Sequence, residues 1–127
     1  MKGYVGKIEE LTEKNSNFRQ VLFTGKYCQL VVMSLKPKEE IGMEVHNQLD
    51  QFFRIEEGQA KVIIDGEEHL VGDGDAIIVP GGSQHNVINN SETEDLKLYT
   101  IYSPPNHPEG TIHQTKEEAM AAEHEEH

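Results

Sequence analysis

Glu44 and His46 stand two residues apart in MEVHNQLDQFF (43–53), between runs that alternate apolar and polar side chains, and Gln51 follows five residues after the histidine. On a strand, residues two apart project from the same face. A carboxylate and an imidazole there converge on one point while Val45 turns away. Such a pair could open a metal site with an unusual donor set; the plainer reading is a strand with one incidental histidine. NQLD (47–50) then supplies a turn, and the next strand sends Gln51, Phe53 and Ile55 to one side. A second imidazole comes from GDAIIVPGGSQHNVIN (74–89), a strand feeding a Pro-Gly turn and then a second strand that starts at His85. The turn holds that imidazole at a defined place, and His85, Val87 and Asn89 share a face.

The elements that must position these side chains read mainly as strands. FRQVLFT (18–24), CQLVVMSL (28–35), QFFRIE (51–56), AKVIID (60–65), AIIVP (76–80), HNVIN (85–89) and LKLYTIYS (96–103) alternate with period two or form short β-rich runs. Asp65-Gly66 between two apolar runs predicts a hairpin, because its turn needs positive φ, which glycine adopts without penalty. Many short strands at even spacing argue for an antiparallel sandwich or barrel. The pattern changes at SPPNHPEG (103–110), where three prolines remove backbone donors and end any sheet. Beyond it, Thr115 and Glu118 stand at capping-box spacing and open a short helical or disordered acidic tail, in which His124 and His127 read as solvated charges. The expected organisation is one barrel domain over 1–114, strap included, and a tail over 115–127.

Composition limits the partners. With 127 residues the chain has room for one core. Its 11 Lys and Arg against 23 Asp and Glu leave a net charge of −12, which repels phosphate backbones and anionic lipid, so nucleic acid and membranes are poor partners. A small molecule or a second copy of the chain fits better. The N-terminal segment has no apolar run that could serve as a signal-peptide core, so a cytoplasmic location is expected. Cys28 lies in an apolar strand pattern and is expected as a small buried hydrophobe rather than a nucleophile.

The run Gly74, five residues, Pro80, one residue, Gly82, two residues, His85, three residues, Asn89 matches the second motif of the cupin family at every specified position. The resemblance implies an all-β, antiparallel jelly-roll barrel with a metal site inside its mouth. The family's first motif, a glycine followed by His-x-His, Glu and a closing glycine, is met only in degenerate form. Counting back from Gly58, Gln51 stands in place of the Glu, His46 is the second His and Glu44 replaces the first; the opening glycine falls on Lys38, with Gly42 the nearest glycine. The implied ligands are Glu44, His46, Gln51 and His85, with Gln48 or Asp50 replacing Gln51 if the register slips. This set keeps the single negative charge of three His and one Glu. Its two oxygens and two nitrogens favour one divalent Mn, Fe or Zn ion over copper. EVH, DQFFRIEEG and YSPPNHPEGTIHQTK further resemble small single-domain cupins grouped with mannose-6-phosphate isomerases.

Three functions follow. A mononuclear metalloenzyme would bind a small oxygenated substrate, a sugar or keto acid, at open metal positions, with Glu44 handling a proton in an isomerisation or dioxygenation. A non-catalytic metal- or sugar-binding sensory cupin would hold its ligand without a spare acid or base nearby. A metal-free structural barrel would have an apolar interior and turn Glu44 to solvent. No Lys or Arg is identified at an inward position near the ligands, which weighs against phosphorylated sugars. His107 and His113 could close over the mouth and shuttle protons, but read more plainly as surface histidines of a Pro-rich connection. Arg54 alternates outward, at most one of Tyr99 and Tyr102 faces inward, and Phe52 on the outer face suggests a homodimer contact.

Overall fold

The computed structural model describes residues 2–125. In chain order these form α1 (Ile8–Lys14), β1 (Arg19–Thr24), β2 (Gln29–Leu35), β3 (Glu44–Val45), β4 (Asp50–Glu57), β5 (Gln59–Ile64), β6 (Glu67–Gly72), β7 (Ala76–Val79), β8 (Gln84–Asn89), β9 (Leu96–Ser103), β10 (Ile112–His113) and α2 (Lys116–Glu125). The strands make two antiparallel sheets. One has six strands in the order β10-β1-β2-β9-β4-β7, the other four in the order β3-β8-β5-β6. The jelly-roll architecture implied by the sequence is the one found. Among the described residues no helix is long and apolar enough to cross a membrane.

Alternation explains the two faces. On β4, Gln51, Phe53 and Ile55 are buried while Phe52, Arg54 and Glu56 turn outward. On β9, Leu96, Leu98, Thr100 and Tyr102 point in. Together with Val31, Met33 and Leu35 of β2, and with Val62 and Val87 across the barrel, these residues fill the interior. β2 does not alternate because both of its faces are covered: α1 packs on its outer side, where Val32 is buried. The Asp65-Gly66 turn has φ of 48° and 85°, so the hairpin between β5 and β6 forms as its sequence predicts.

Some expectations change. Cys28 is exposed, because it sits in the β1–β2 turn, where its carbonyl accepts from the Gly25 amide, one residue before the strand begins. β6 has no apolar alternation since it is an edge strand exposed along most of its length. The tail docks as a helix: the Thr115 hydroxyl accepts from the Glu118 amide, the Glu118 carboxylate accepts from the Gln114 amide, and Ala119 joins the core. The His124 side chain and His127 lie outside the described residues.

Candidate metal centre

The two motif regions are held together by backbone contacts. Glu44 on β3 pairs directly with His85 on β8. The Pro80–Ser83 turn that precedes β8 presses on the loop between β3 and β4: the Gly82 amide donates to the His46 carbonyl (2.9 Å) and the Gly81 amide to Asp50 Oδ1 (2.9 Å). A Cβ at position 81 would lie 3.0 Å from the Leu49 carbonyl oxygen, so only glycine fits without a shift. The result sets the His46 and His85 rings 5.6 Å apart, centre to centre.

The hydrogen bonds leave donor atoms bare. His85 Nδ1 is 3.1 Å from the Ser83 carbonyl, which only accepts, so that nitrogen carries the proton and Nε2 presents a lone pair. Gln51 donates through Nε2 to Thr100 Oγ1 (3.0 Å), which directs its Oε1 away from the bond. His85 Nε2, Gln51 Oε1 and His46 Nε2 are all buried without a hydrogen-bond partner among the described residues. His46 Nε2 lies 3.1 Å from Glu44 Oε2, near enough for an ion pair but off the line a hydrogen bond needs. Burial pulls the Glu44 carboxyl upward, yet the adjacent His46 imidazole and the charges of Arg19 and His85 outweigh it and hold the group below the usual carboxylate range.

Glu44 and His46 are in contact, the His85 ring lies 5.6 Å from that of His46, and Gln51 turns inward on β4. Buried acceptors left without partners suit a cation, because an unsatisfied buried polar atom costs about 1–3 kcal/mol. The spacing is looser than a closed site. Among the described residues, the group of three carboxylate or imidazole ligands whose atoms all lie within 4.8 Å is instead Glu9, Glu13 and Glu56, on the outer surface. The opening position of the first motif is also accounted for: Lys38 has φ of 64°, the left-handed backbone that glycine adopts freely, and Gly42 has φ of 107°.

Gln29 and Arg19 escaped the sequence reading, and His107, there left between a proton shuttle and a surface histidine, is partly buried. Its Nε2 lies 3.2 Å from the Tyr102 hydroxyl, the two rings meet edge to face at 5.1 Å, and Tyr102 in turn meets the His46 ring at 6.1 Å. Burial, reinforced by the Arg19 charge, pushes the His107 imidazole down to about 3; burial also pushes the Tyr102 phenol up. Gln29, fully buried, fastens the strap: its Nε2 donates to Thr24 Oγ1 and the His107 carbonyl, and its Oε1 accepts from the Asn106 and His107 amides. Arg19 overturns the expectation of no inward cation. It is 3% exposed on β1 and pairs across to His113 on β10. Its parity was the available signal, since Arg19 shares an odd-numbered face with Val21.

Fold and motif geometry agree with the comparisons. The chain belongs to the cupin domain family, whose profile matches residues 31–102. Its relatives include the uncharacterized protein YrkC of Bacillus subtilis (strain 168), 49% identical over 128 residues that cover 96% of this chain and 68% of YrkC. The uncharacterized protein L612 of Acanthamoeba polyphaga mimivirus is 47% identical over 113 residues, covering 86% of this chain and 70% of L612. Among solved structures, that of BH2720 from Bacillus halodurans superposes with a TM-score of 0.92 at 44% identity, covering 94% of this chain and 95% of that one.

Proposed function

We propose that this cupin is a mononuclear metalloprotein in which Glu44, His46, Gln51 and His85 hold one divalent Mn, Fe or Zn ion, and that it acts on a small oxygenated substrate, a sugar or keto acid. The observation that carries the reading is the pair of buried acceptors Gln51 Oε1 and His85 Nε2, without hydrogen-bond partners among the described residues, together with the Glu44–His46 pair. A divalent ion bound there supplies Lewis-acid polarisation of a substrate oxygen. The chain's own residues prepare the site. Ser83 fixes the His85 tautomer, Thr100 orients the Gln51 amide, and Glu44 stays ionised with His46 at its side.

An enzyme is favoured over a passive binding module because titratable groups stand close by. Glu44 is a candidate proton acceptor, and the Tyr102–His107 pair holds a proton at the phenol oxygen next to a neutral imidazole. A metal-free structural barrel is disfavoured, since the partly buried Glu44 carboxylate turns to His46. The reading includes a cytoplasmic location and a homodimer joined through the outer face near Phe52, Tyr99 and the exposed Ile78. Metal analysis by mass spectrometry on chelator-free preparations tests it. About one equivalent of a transition metal in the wild type, lost in His85→Ala, is expected; no metal in either protein after reconstitution refutes it.

A further inference from the structure

Arg19 is the least satisfied charged group in the barrel. It is 3% exposed, and its Nε and Nη1 are buried without a hydrogen-bond partner among the described residues. Its guanidinium carbon lies over the Phe18 ring, 5.4 Å from the centroid, within cation–π range. An arginine cannot shed its proton to escape such a place, and although its charge acts on the nearby Glu44 carboxylate, two of its buried N–H donors stay unfilled. A folded chain carries the cost of such donors where an outside partner completes the bonding.

The position of Arg19 indicates what the partner is. Arg19 and Glu44 line the same cleft of about 200 Å³, roofed by Ala119 and Met120 of α2. The guanidinium charge is felt at Glu44, Tyr102 and His107, the groups that surround the donor cluster. The other charges on the cleft wall are Glu44, Lys116 and Glu123, so the wall as a whole is close to neutral. What Arg19 offers there is a fork of unfilled N–H donors, whose planar geometry suits a carboxylate better than a phosphate.

We propose that Arg19 is the anion-recognition residue of this site and that the ligand is a small 2-oxo or 2-hydroxy acid, its carboxylate on the guanidinium and its second oxygen turned to the Glu44, His46, Gln51 and His85 donors. This narrows the metal-dependent reading and rests on it for the second oxygen. It also reconciles an anionic ligand with a net charge of −12, since recognition is local and buried rather than steered from the surface.

Calorimetric titration of pyruvate into the full chain, metal-loaded and chelator-treated, tests the assignment, with methyl pyruvate, glucose and inorganic phosphate as comparison probes. Pyruvate should bind the metal-loaded wild type, and Arg19→Met should weaken it by about tenfold or more, the scale of a lost charge-assisted pair. Arg19→Lys, which keeps the charge but not the fork, should fall between them and carries the test if Arg19→Met does not fold. Methyl pyruvate, lacking the charge, should bind wild type and Arg19→Met alike. Equal pyruvate affinity in wild type and Arg19 variants overturns the proposal, as does tighter binding of phosphate or glucose. Metal content separates this from the wider reading. A metal-replete wild type that ignores pyruvate sinks the carboxylate assignment alone, whereas Arg19-dependent pyruvate binding by a chain that takes up no metal upholds Arg19 as the anion site and sinks the metal-dependent reading.

Discussion

Replacing His107 by Gln should flatten the acid limb of the stability curve. In the folded chain burial holds this imidazole down to about 3 from an ordinary 6.5, with the Arg19 charge acting in the same sense. Between those values the unfolded chain binds a proton at His107 that the folded chain does not, so stability is intact above the unfolded value and falls as the pH drops through this window. From pH 7.5 to pH 5 the loss is about 1.5 units at 1.4 kcal/mol each, or about 2 kcal/mol. That figure holds for any folded value well below 5, because only the unfolded chain titrates in this interval. Urea unfolding of chelator-treated wild type and His107→Gln at both pH values reads it directly. The wild type should lose about 2 kcal/mol more than the variant over the interval. The Gln amide retains a partner for the Tyr102 hydroxyl, so any loss of that contact acts at both pH values and cancels. Equal losses in the two proteins would refute the buried, neutral His107.

Gln29→Leu should release the strap: it removes the partners of the Asn106 and His107 amides, and a destabilisation of about 2–4 kcal/mol is expected in urea, with increased amide exchange at Asn106 and His107. A loss below about 0.5 kcal/mol would show that the strap is held by other means. Lys38→Gly should stabilise the chain by up to about 1 kcal/mol, since it removes a left-handed lysine at the opening position of the first motif; a clear destabilisation would refute that account of position 38.

Legibility in the sequence followed burial. Where one face of a strand is wet and the other dry, as on β4, alternation placed the side chains and Gln51 went inward as the period requires, while on β9 it fixed only that Tyr99 and Tyr102 face opposite ways. The Pro80–Ser83 turn was legible because its glycines answer to a close approach that no other residue allows. β6 was not, since an edge strand exposed on both faces has no hydrophobic period to read. Arg19 was missed for a different reason. Its charge argued for solvent while its parity with Val21 argued for the interior, and parity prevailed. His107 depended on a contact made 78 residues away, where Gln29 binds the strap, and local pattern holds no record of such a partner. Spacing was enough to propose Glu44, His46, Gln51 and His85 as a set, whereas the bonds to Ser83 and Thr100 that aim the free atoms of His85 and Gln51 emerged only with the fold.

The most direct test of the central claim is an anomalous difference map from crystals of metal-loaded protein, collected at the absorption edge of the bound metal. The account predicts a single strong peak about 2.0–2.2 Å from His46 Nε2 and His85 Nε2, with Gln51 Oε1 and the Glu44 carboxylate completing the protein ligands. A peak at the outer cluster of Glu9, Glu13 and Glu56 instead, or none in the barrel, would contradict it.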